Sequence, residues 1–544
     1  MKYVYSFAEG GAQMKELLGR KGATLSELTK LGVPIPEGFV VTTEACSLYY
    51  AQDKSITKDL EEEIFTYIQH LEETTGKKFG DAENPLFISI RSSSNNYMER
   101  FFEDVLNIGI NDTTAKALAK TCGNKRFPLD LYVNFLIPFM NSILEDTNMN
   151  EFEGINHRLI SAYYRNNKNC FGEFSDEAME EFIIKTKQLY KRIYEKDFPD
   201  DPMQQLLCIA EAVFKSCDSI RAQVYKRLND IDGVMCVAVV VQKMVFGKAS
   251  DNSAVGYLYT RNPKTGENKA FTKLIKNTQR KEIPYFYDIQ DNKDESSELP
   301  ESCFNVLITA GKKIEKHYKD CQCIDFVLEK NTPYIMMSTS KKLCMELEAE
   351  LNIIIDLVQE GIISKDQAIE RISKGEFRLL SLPVFDEASL KGREEIAQGL
   401  TAFKGVAYGK VYFSEDKARE HINLGEKVII ITRFIRGDEK GEEIIQLVDG
   451  VVSSGGMSID QAIMARNNEK PCIVIDRTKL NISKDGTFCI LNDKKIIEGD
   501  IISVDATNGK VYKGITKIIP RPRVGNYGKI IEWISDIERS DKRK

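Results

Sequence analysis

The sequence predicts a multidomain protein of the α+β and α/β classes. Three observations support this prediction: a length of 544 residues, a helix-rich stretch set between strand-like segments, and a change to short β segments with glycine turns from residue 401. At roughly 150 residues per domain, this length corresponds to about three or four globular units. With 42% hydrophobic and 29% charged residues, the composition excludes wholesale disorder.

The charge balance gives no sign of a nucleic-acid or membrane partner. The 75 basic and 82 acidic residues leave a net charge of -7, which is weak and of mixed sign. The N-terminus lacks the basic start and apolar run of a secretory signal, and no stretch reaches the roughly 20 apolar residues of a membrane helix. We therefore expect a cytoplasmic protein, in which the 12 cysteines are ordinary thiols.

The first elements follow from the spacing of leucine, glycine and proline. Leucines recur at helical intervals over residues 14–32, where Gly19 predicts a turn that leads into a helix. Residues 33–43 contain two prolines and alternating apolar side chains, which predicts a strand. A second helix is expected to begin near Thr43 or Glu44.

Strands are expected on both sides of a long helical region. Residues 85–94 form a β-rich run that contains Arg91 and ends in a polar loop. Helical patterns dominate from about 113 to 230. Strand-like runs return at 234–245 and 322–337, so the order is strand, helical insert and strand again.

A charged helical stretch at 341–362 begins the part of the chain that links two domains. Ser364 stands three residues before Gln367, which is the spacing of a capping box and predicts another short helix. The β segments after residue 401 predict a separate compact unit. The final stretch, 517–544, has two prolines and then a charged helix, for which we expect no packing partner in the chain.

Several motifs occur in an order that indicates a known family. They are LLGRKGATLSELTKLGVPIPEGFVVTTEAC, VQKMVFGK, YTRNPKTGE, DLVQEGIISKDQAIERI and EGDIISVDATNGKVY. In this order they resemble the pyruvate, phosphate dikinase family, and phosphoenolpyruvate synthases share them more loosely. The resemblance implies four parts: an ATP-grasp-like nucleotide-binding domain at 1–340 with a helical insert at about 113–200, a helical connector at 341–392, a swivelling phosphohistidine-like domain at 393–515 and a linker or tail at 516–544. The C-terminal barrel that holds the pyruvate site in the family is expected to be missing.

The resemblance also implies residues that bind a nucleotide, with ATP as the cofactor. Lys21 and Arg91 match family residues that contact ATP phosphates, although each could equally be a surface charge. Gln242 and Met244 fall where ATP-grasp proteins present backbone groups to adenine, and an apolar strand end would look the same. Asp325 occupies the position of a metal ligand.

Other positions depart from the family pattern. The glycine-rich phosphate loop reads RSSSNNYMER at 91–100, which lacks the glycines that let a backbone approach phosphate. Cys323 and Lys273 stand where the family has carboxylate ligands, and Lys281 replaces a further glutamate. Because a lysine repels a divalent cation, magnesium binding is not expected.

The phosphate acceptor also differs. The string GGMSIDQAIMAR places Asp460 where the family has its phosphorylated histidine. The four histidines of the chain all lie elsewhere, at His70, His157, His317 and His421. An aspartate can accept a phosphoryl group, but an acid in the first turn of a helix, with Ser458 and Gln461 at capping-box spacing, is also what helix stability favours.

Three readings of the function follow. The favoured one is a catalytically degenerate relative of the dikinase that acts by binding or regulation, with an active dikinase or an unrelated protein as its partner. The second is an ATP-dependent phosphotransferase or ATP-binding enzyme with an altered site, supported by Lys21 and Arg91 and opposed by Lys273. The third is a nucleotide sensor that needs no metal.

Overall fold

A computed structural model describes residues 2–94, 102–144, 146–166, 175–228, 235–278, 294–340, 347–433, 439–454 and 460–541. The chain divides into two compact units, Met1–Leu357 and Val358–Lys544. Among the described residues, no helix is long and apolar enough to cross a membrane. The mixture of helices and several sheets in two units confirms the predicted fold class.

The first unit contains an antiparallel sheet whose central strand comes late in the chain. Its strands, in spatial order, are Val4–Ser6, Gly38–Val41, Ala238–Lys243, Ile88–Ser93 and Val105–Ile108. Helix Lys15–Lys30 packs Leu18 and Leu25 against one face of this sheet. Apolar side chains of the helical region, such as Phe135 and Phe214, form the main core with the other face.

Eight helices described in the structure follow the second strand and precede strand Ala238–Lys243, and the last six of them lie in the predicted helical region. They are Thr43–Ala51, Lys58–Thr75, Asp112–Cys122, Arg126–Ile143, Asp146–Asn166, Asp176–Tyr194, Pro202–Lys215 and Ile220–Leu228. A short parallel strand pair, Lys78–Phe79 and Pro85–Leu86, and two 3-10 turns, Ala12–Met14 and Ser216–Asp218, complete this part.

A second antiparallel sheet of the first unit has the strand order Thr332–Thr339, Cys323–Glu329, Ala254–Tyr259 and Phe271–Lys276. Helix Glu301–Tyr318, which follows the 3-10 turn Ser296–Glu298, packs Leu307 and Ile314 against one face. The other face carries aromatic side chains, including Tyr257 and Phe271. This sheet contacts the segment that leads into strand Gly38–Val41, where Ile335 N–H donates to Pro34 O at 2.7 Å.

The second unit is built on an eight-stranded mixed sheet. Its strands, in spatial order, are Glu395–Gln398, Lys510–Lys513, Ile501–Asp505, Val406–Tyr412, Val428–Thr432, Gly450–Ser454, Cys472–Ile475 and Leu400–Phe403. The four strands from Val406–Tyr412 to Cys472–Ile475 are parallel, and helices Glu415–Asn423, Glu439–Leu447 and Asp460–Asn467 connect them in chain order. The smaller elements are strands Leu480–Ile482, Phe488–Leu491 and Lys494–Ile497, the pair Val384–Phe385 with Ile518–Ile519, and helices Lys365–Arg371, Lys374–Leu380, Glu387–Leu390 and Gly525–Asp541.

Two helix starts predicted from the sequence are confirmed. Helix Thr43–Ala51 begins after Thr42, whose side chain accepts a hydrogen bond from the Ala45 N–H. Ser364 and Gln367 form the predicted capping box, because each side chain bonds the backbone N–H of the other residue. Both signals are local, so no tertiary contact was needed to read them.

The expectation for the C-terminal helix was wrong. Helix Gly525–Asp541 has a packing partner, helix Lys365–Arg371, and Lys365 Nζ lies 3.3 Å from Asp536 Oδ2. Ile530 and Trp533 are buried. The helix is amphipathic, and burial of its apolar side chains stabilises the packing. The many charged residues of this stretch made its apolar face easy to miss in the sequence.

The division between the two units falls inside helix Leu347–Gln359. This helix lies in the stretch predicted as a connector, and its Asn352 Nδ2 donates to Thr265 O at 2.6 Å. The finer domain boundaries at 340, 392 and 515 stay predictions.

Candidate nucleotide site

Helix Lys15–Lys30 has a non-helical turn at Gly19, where the chain lies against the end of a strand. Gly19 has φ +66°, and a Cβ there would lie 2.5 Å from the Ser93 carbonyl carbon, so only glycine fits without displacement. The Lys21 and Gly22 N–H groups donate to Ser93 Oγ at 3.0 and 3.2 Å, and Arg20 N–H donates to Ser94 O. This turn fixes Lys21 beside the strand that carries Arg91.

Lys21 and Arg91 converge on one carboxylate, that of Asp104. Lys21 Nζ lies 3.9 Å from Asp104 Oδ1, and Arg91 Nε lies 3.6 Å from Asp104 Oδ2. Lys21 Nζ also donates to Ser92 O at 3.0 Å. Arg91 is buried, whereas the Asp104 side chain is 37% exposed. The two cations predicted to contact phosphate therefore lie together, with a solvent-accessible anion between them.

Asp104 was missed in the sequence. It lies just before strand Val105–Ile108, which pairs antiparallel with Ile88–Ser93, so the start of one strand meets the end of the other. An acid directly before a strand that neighbours Arg91 is the signal that could have found it, but using this signal requires knowing which strands pair.

The predicted adenine-side residues lie on the central strand of the same sheet. Gln242 pairs with Ser89, two residues from Arg91, so all three side chains share one face. Gln242 is fully buried; its Nε2 donates to Pro36 O at 3.1 Å, and its Oε1 has no hydrogen-bond partner among the described residues. Met244 N–H donates to Phe87 O at 2.8 Å, so an adenine contact through this group would replace an existing bond.

Asp325 lies on the second sheet, in a row of residues that face the same way. Across the four strands the row reads Lys273, Tyr257, Asp325 and Met337. A bulge between Asp325 and Phe326 changes the register at this point. In this row the predicted metal-ligand position, Asp325, and the lysine that replaces a family ligand are separated by one strand, which carries Tyr257.

Lys273 is built into the interior of this sheet region. Its side chain is 2% exposed, and its Nζ lies 3.6 Å from Glu295 Oε1. The second oxygen of Glu295 accepts the Leu274 N–H at 2.9 Å, which holds the carboxylate against the strand. Burying a cation is costly unless an anion accompanies it, and Glu295 supplies that anion. No periodic pattern in the sequence indicates this pair, because the two residues lie 22 positions apart.

Asp460 is the first residue of helix Asp460–Asn467, in the other unit. Ser458 and the preceding glycines lie outside the described residues, as do residues 95–100 of the phosphate loop and Lys281. The one histidine of this unit, His421, lies on helix Glu415–Asn423, where it stacks on Tyr412 and its Nδ1 lies 3.0 Å from Glu426 Oε2. Among the described residues, no group of three or more His, Cys, Asp and Glu side chains is placed to hold a metal ion.

Together, the two sheets and the helical insert form a unit of the ATP-grasp type. Residues 15–278 match the family model described as "Pyruvate phosphate dikinase, AMP/ATP-binding domain". This range contains Lys21, Arg91, Gln242 and Met244 as well as Lys273.

Curated relatives extend the similarity over the chain. Pyruvate, phosphate dikinase of Clostridium symbiosum is 36% identical over 98% of this chain and 60% of its own length. The corresponding enzyme of Entamoeba histolytica is 33% identical over 99% of this chain and 60% of its own length. Pyruvate, phosphate dikinase 2 of Oryza sativa is 31% identical over 98% and 59%. The chain belongs to the pyruvate, phosphate dikinase family, and it spans about 60% of the length of these relatives.

Proposed function

We propose that this chain is a catalytically degenerate member of its family that acts by binding or regulation. The observation that carries the proposal is the position of Lys273: a buried lysine, paired with Glu295, in the row of Asp325. The family resemblance assigns a carboxylate ligand to that position. A metal-dependent phosphoryl transfer would therefore have to proceed beside a fixed positive charge.

The electrostatic argument is one of sign and distance. Neighbouring strands lie about 4.8 Å apart, so the backbones of Lys273 and Asp325, which are two strands apart, lie roughly 10 Å from each other. At this distance, a metal ion bound by Asp325 would lie within the electrostatic range of the lysine charge. A cation there reduces the attraction of Asp325 for a second, divalent cation. Magnesium also needs several oxygen ligands in octahedral geometry, and Asp325 supplies at most one side chain of that set.

The phosphate acceptor supports the same proposal. Asp460 replaces the imidazole nucleophile of the family, and His421 is held on a different helix by Glu426 and Tyr412. A partner in this proposal is another protein, either an active dikinase or an unrelated target, which the chain binds through surfaces that catalysis no longer constrains.

A second candidate, a nucleotide sensor that needs no metal, is favoured by one observation. Lys21 and Arg91 remain together, and the carboxylate between them is partly exposed. A polyphosphate could displace Asp104 and accept hydrogen bonds from both cations, as Arg and Lys commonly donate to phosphate. This binding would use the first sheet alone and would leave Lys273 undisturbed.

One experiment separates these candidates from an active enzyme. The purified chain is incubated with ATP, with magnesium or with EDTA, and its melting temperature and intact mass are measured. If the chain is catalytically degenerate, no phosphate is added in either condition. If it is also a nucleotide sensor, ATP raises its melting temperature, and this rise persists in EDTA. An added phosphate that Asp460→Asn abolishes would overturn degeneracy, and Gln461→Asn provides the matched neighbouring substitution.

A further inference from the structure

The second sheet of the first unit has a cavity on the face that helix Glu301–Tyr318 covers. The cavity has a volume of about 670 Å³ and lies between this helix, the end of strand Ala254–Tyr259 and the turns around residues 268–270 and 294–297. Small-molecule sites in proteins have volumes of about 300–1,000 Å³. The cavity is therefore large enough for a small organic ligand.

This cavity lies on the opposite side of the sheet from the row that contains Lys273 and Asp325. Leu258 lines the cavity and packs in the core beneath the helix. Its neighbour Tyr257 belongs to the row of Asp325, and successive residues of a strand point to opposite faces. A ligand in the cavity would thus be separated by the sheet from the position predicted to hold a metal ion.

Most of the cavity wall is apolar. Phe304, Ile308 and Gly311 line it from the helix, at intervals of four and three residues that place them on one helix face. Leu258 lines it from the sheet. A Cβ at Gly311 would lie 3.2 Å from Thr260 Cγ2, so the glycine leaves space that a larger residue would fill. An aromatic ring in this space would gain free energy by leaving water and packing against Phe304.

Two lysines lie at the solvent-exposed rim of the cavity. Lys269 precedes strand Phe271–Lys276, Lys312 lies on the helix, and both residues are exposed. Among the residues that the structure describes, neither ammonium group has a hydrogen-bond or ion-pair partner. Both cations are therefore free to contact a ligand.

The two carboxylates that line the cavity already accept hydrogen bonds from the protein. Glu315 is 8% exposed; its Oε1 accepts a hydrogen bond from Arg261 Nη2 at 2.8 Å, and its Oε2 accepts one from Thr260 Oγ1 at 2.5 Å. Asp294 Oδ1 accepts a hydrogen bond from the Thr272 N–H at 3.0 Å. These acids hold the surrounding chain together, so the charge offered to a ligand is mainly positive.

We propose that this cavity binds a small organic anion with an aromatic body and one acidic group. The ring packs against Phe304 and Ile308, and the acidic group accepts charge-assisted hydrogen bonds from Lys269 and Lys312. A neutral ligand of the same shape keeps only the apolar contacts. A ligand with a positive charge is repelled by both lysines.

Calorimetric titration of the full chain with three matched probes tests the class of ligand. The probes 2-naphthoate, 2-naphthamide and 2-naphthylmethylammonium share one ring system and differ in charge. We expect naphthoate to bind about tenfold more tightly than the amide, and the ammonium probe to bind most weakly. Naphthoate should also raise the melting temperature of the chain. No binding of naphthoate, or equal affinities for the three probes, would overturn the proposal.

Substitutions then locate the binding. Lys312→Met nearly keeps the length of the side chain but removes its charge, so it should weaken naphthoate about tenfold and leave the amide unchanged. Lys313→Met is the matched control, because Lys313 is the next residue of the helix, is also exposed and is not among the residues that line the cavity. Equal losses of naphthoate affinity in these two variants would mean a general effect of surface charge and would overturn the proposal.

A third variant tests the apolar wall. Ile308→Trp places a larger side chain in the cavity, so it should weaken naphthoate and the amide to the same extent. Its melting temperature without a ligand shows whether the variant is folded. A folded Ile308→Trp variant that binds both probes as tightly as the unmodified chain would place the binding outside this cavity and contradict the proposal.

Discussion

Both sheets of the first unit have cations at positions where the family resemblance implies contact with the nucleotide or its metal ion, but the surroundings of these cations differ. Lys21 and Arg91 share Asp104, whose side chain is open to solvent. Lys273 is enclosed with Glu295. A cation with an exposed partner can exchange that partner for a ligand, whereas an enclosed cation belongs to the folded core. We propose that the first sheet keeps a binding arrangement, whereas Lys273 in the second sheet serves the folded structure.

The largest effect that this comparison predicts is on stability, at Lys273. Lys273→Ala removes a buried, packed side chain and leaves the largely enclosed carboxylate of Glu295 without this cation, so we expect a loss of about 3 kcal/mol in the free energy of unfolding. Lys276→Ala on the same strand is the control, because Lys276 is 55% exposed and also has a glutamate partner at 3.6 Å. That change should cost less than about 1 kcal/mol. Equal losses in urea denaturation would remove the distinction between enclosed and exposed cations.

The next effect concerns the turn that places Lys21. Gly19→Ala forces a left-handed conformation on alanine and drives its Cβ into the Ser93 backbone, so we expect a loss of about 2–4 kcal/mol. Gly32→Ala has the same φ of +66° but meets nothing within 4 Å, and should cost about 1 kcal/mol. Thermal unfolding of both variants gives the comparison. If the two variants melt alike, the docking of the turn on Ser93 does not hold Lys21 in place.

The smallest effect on stability should come from Asp104. Asp104→Asn removes the anion that Lys21 and Arg91 share, but because the Asp104 side chain is partly exposed and neither cation lies closer than 3.6 Å to it, we expect a stability change of about 1 kcal/mol. Affinity for ATP in EDTA should rise about threefold to tenfold, because the phosphates no longer compete with a carboxylate. Calorimetric titration measures this affinity, and Glu103→Gln is the control for the change in net charge. An unchanged affinity would mean that the first sheet, like the second, holds its cations for structure alone.

Local signals in the sequence predicted the fold well. The helix start at Thr43, the capping box at Ser364 and the turn at Gly19 each depend on residues a few positions apart. The family resemblance predicted that Lys21 and Arg91 both contact ATP phosphates, and in the structure both lie beside Asp104.

Contacts between distant segments were not predictable in the same way. Glu295 meets Lys273 and Asp536 meets Lys365 only because separate elements pack together.

The order of strands in the first sheet also has a consequence for biosynthesis. Gln242 on the central strand bonds Pro36 across 206 positions, so Gly38–Val41 leaves the ribosome long before its neighbour exists. At roughly 5–20 residues per second, the wait is about 10–40 s. During this interval, strand Gly38–Val41 has an edge whose backbone groups have no neighbouring strand. Such an edge can pair with other chains, so we expect it to be protected by a chaperone or by rapid packing of the helices made after it. A nascent chain truncated before residue 238 cannot complete this sheet, however much of the helical region it contains.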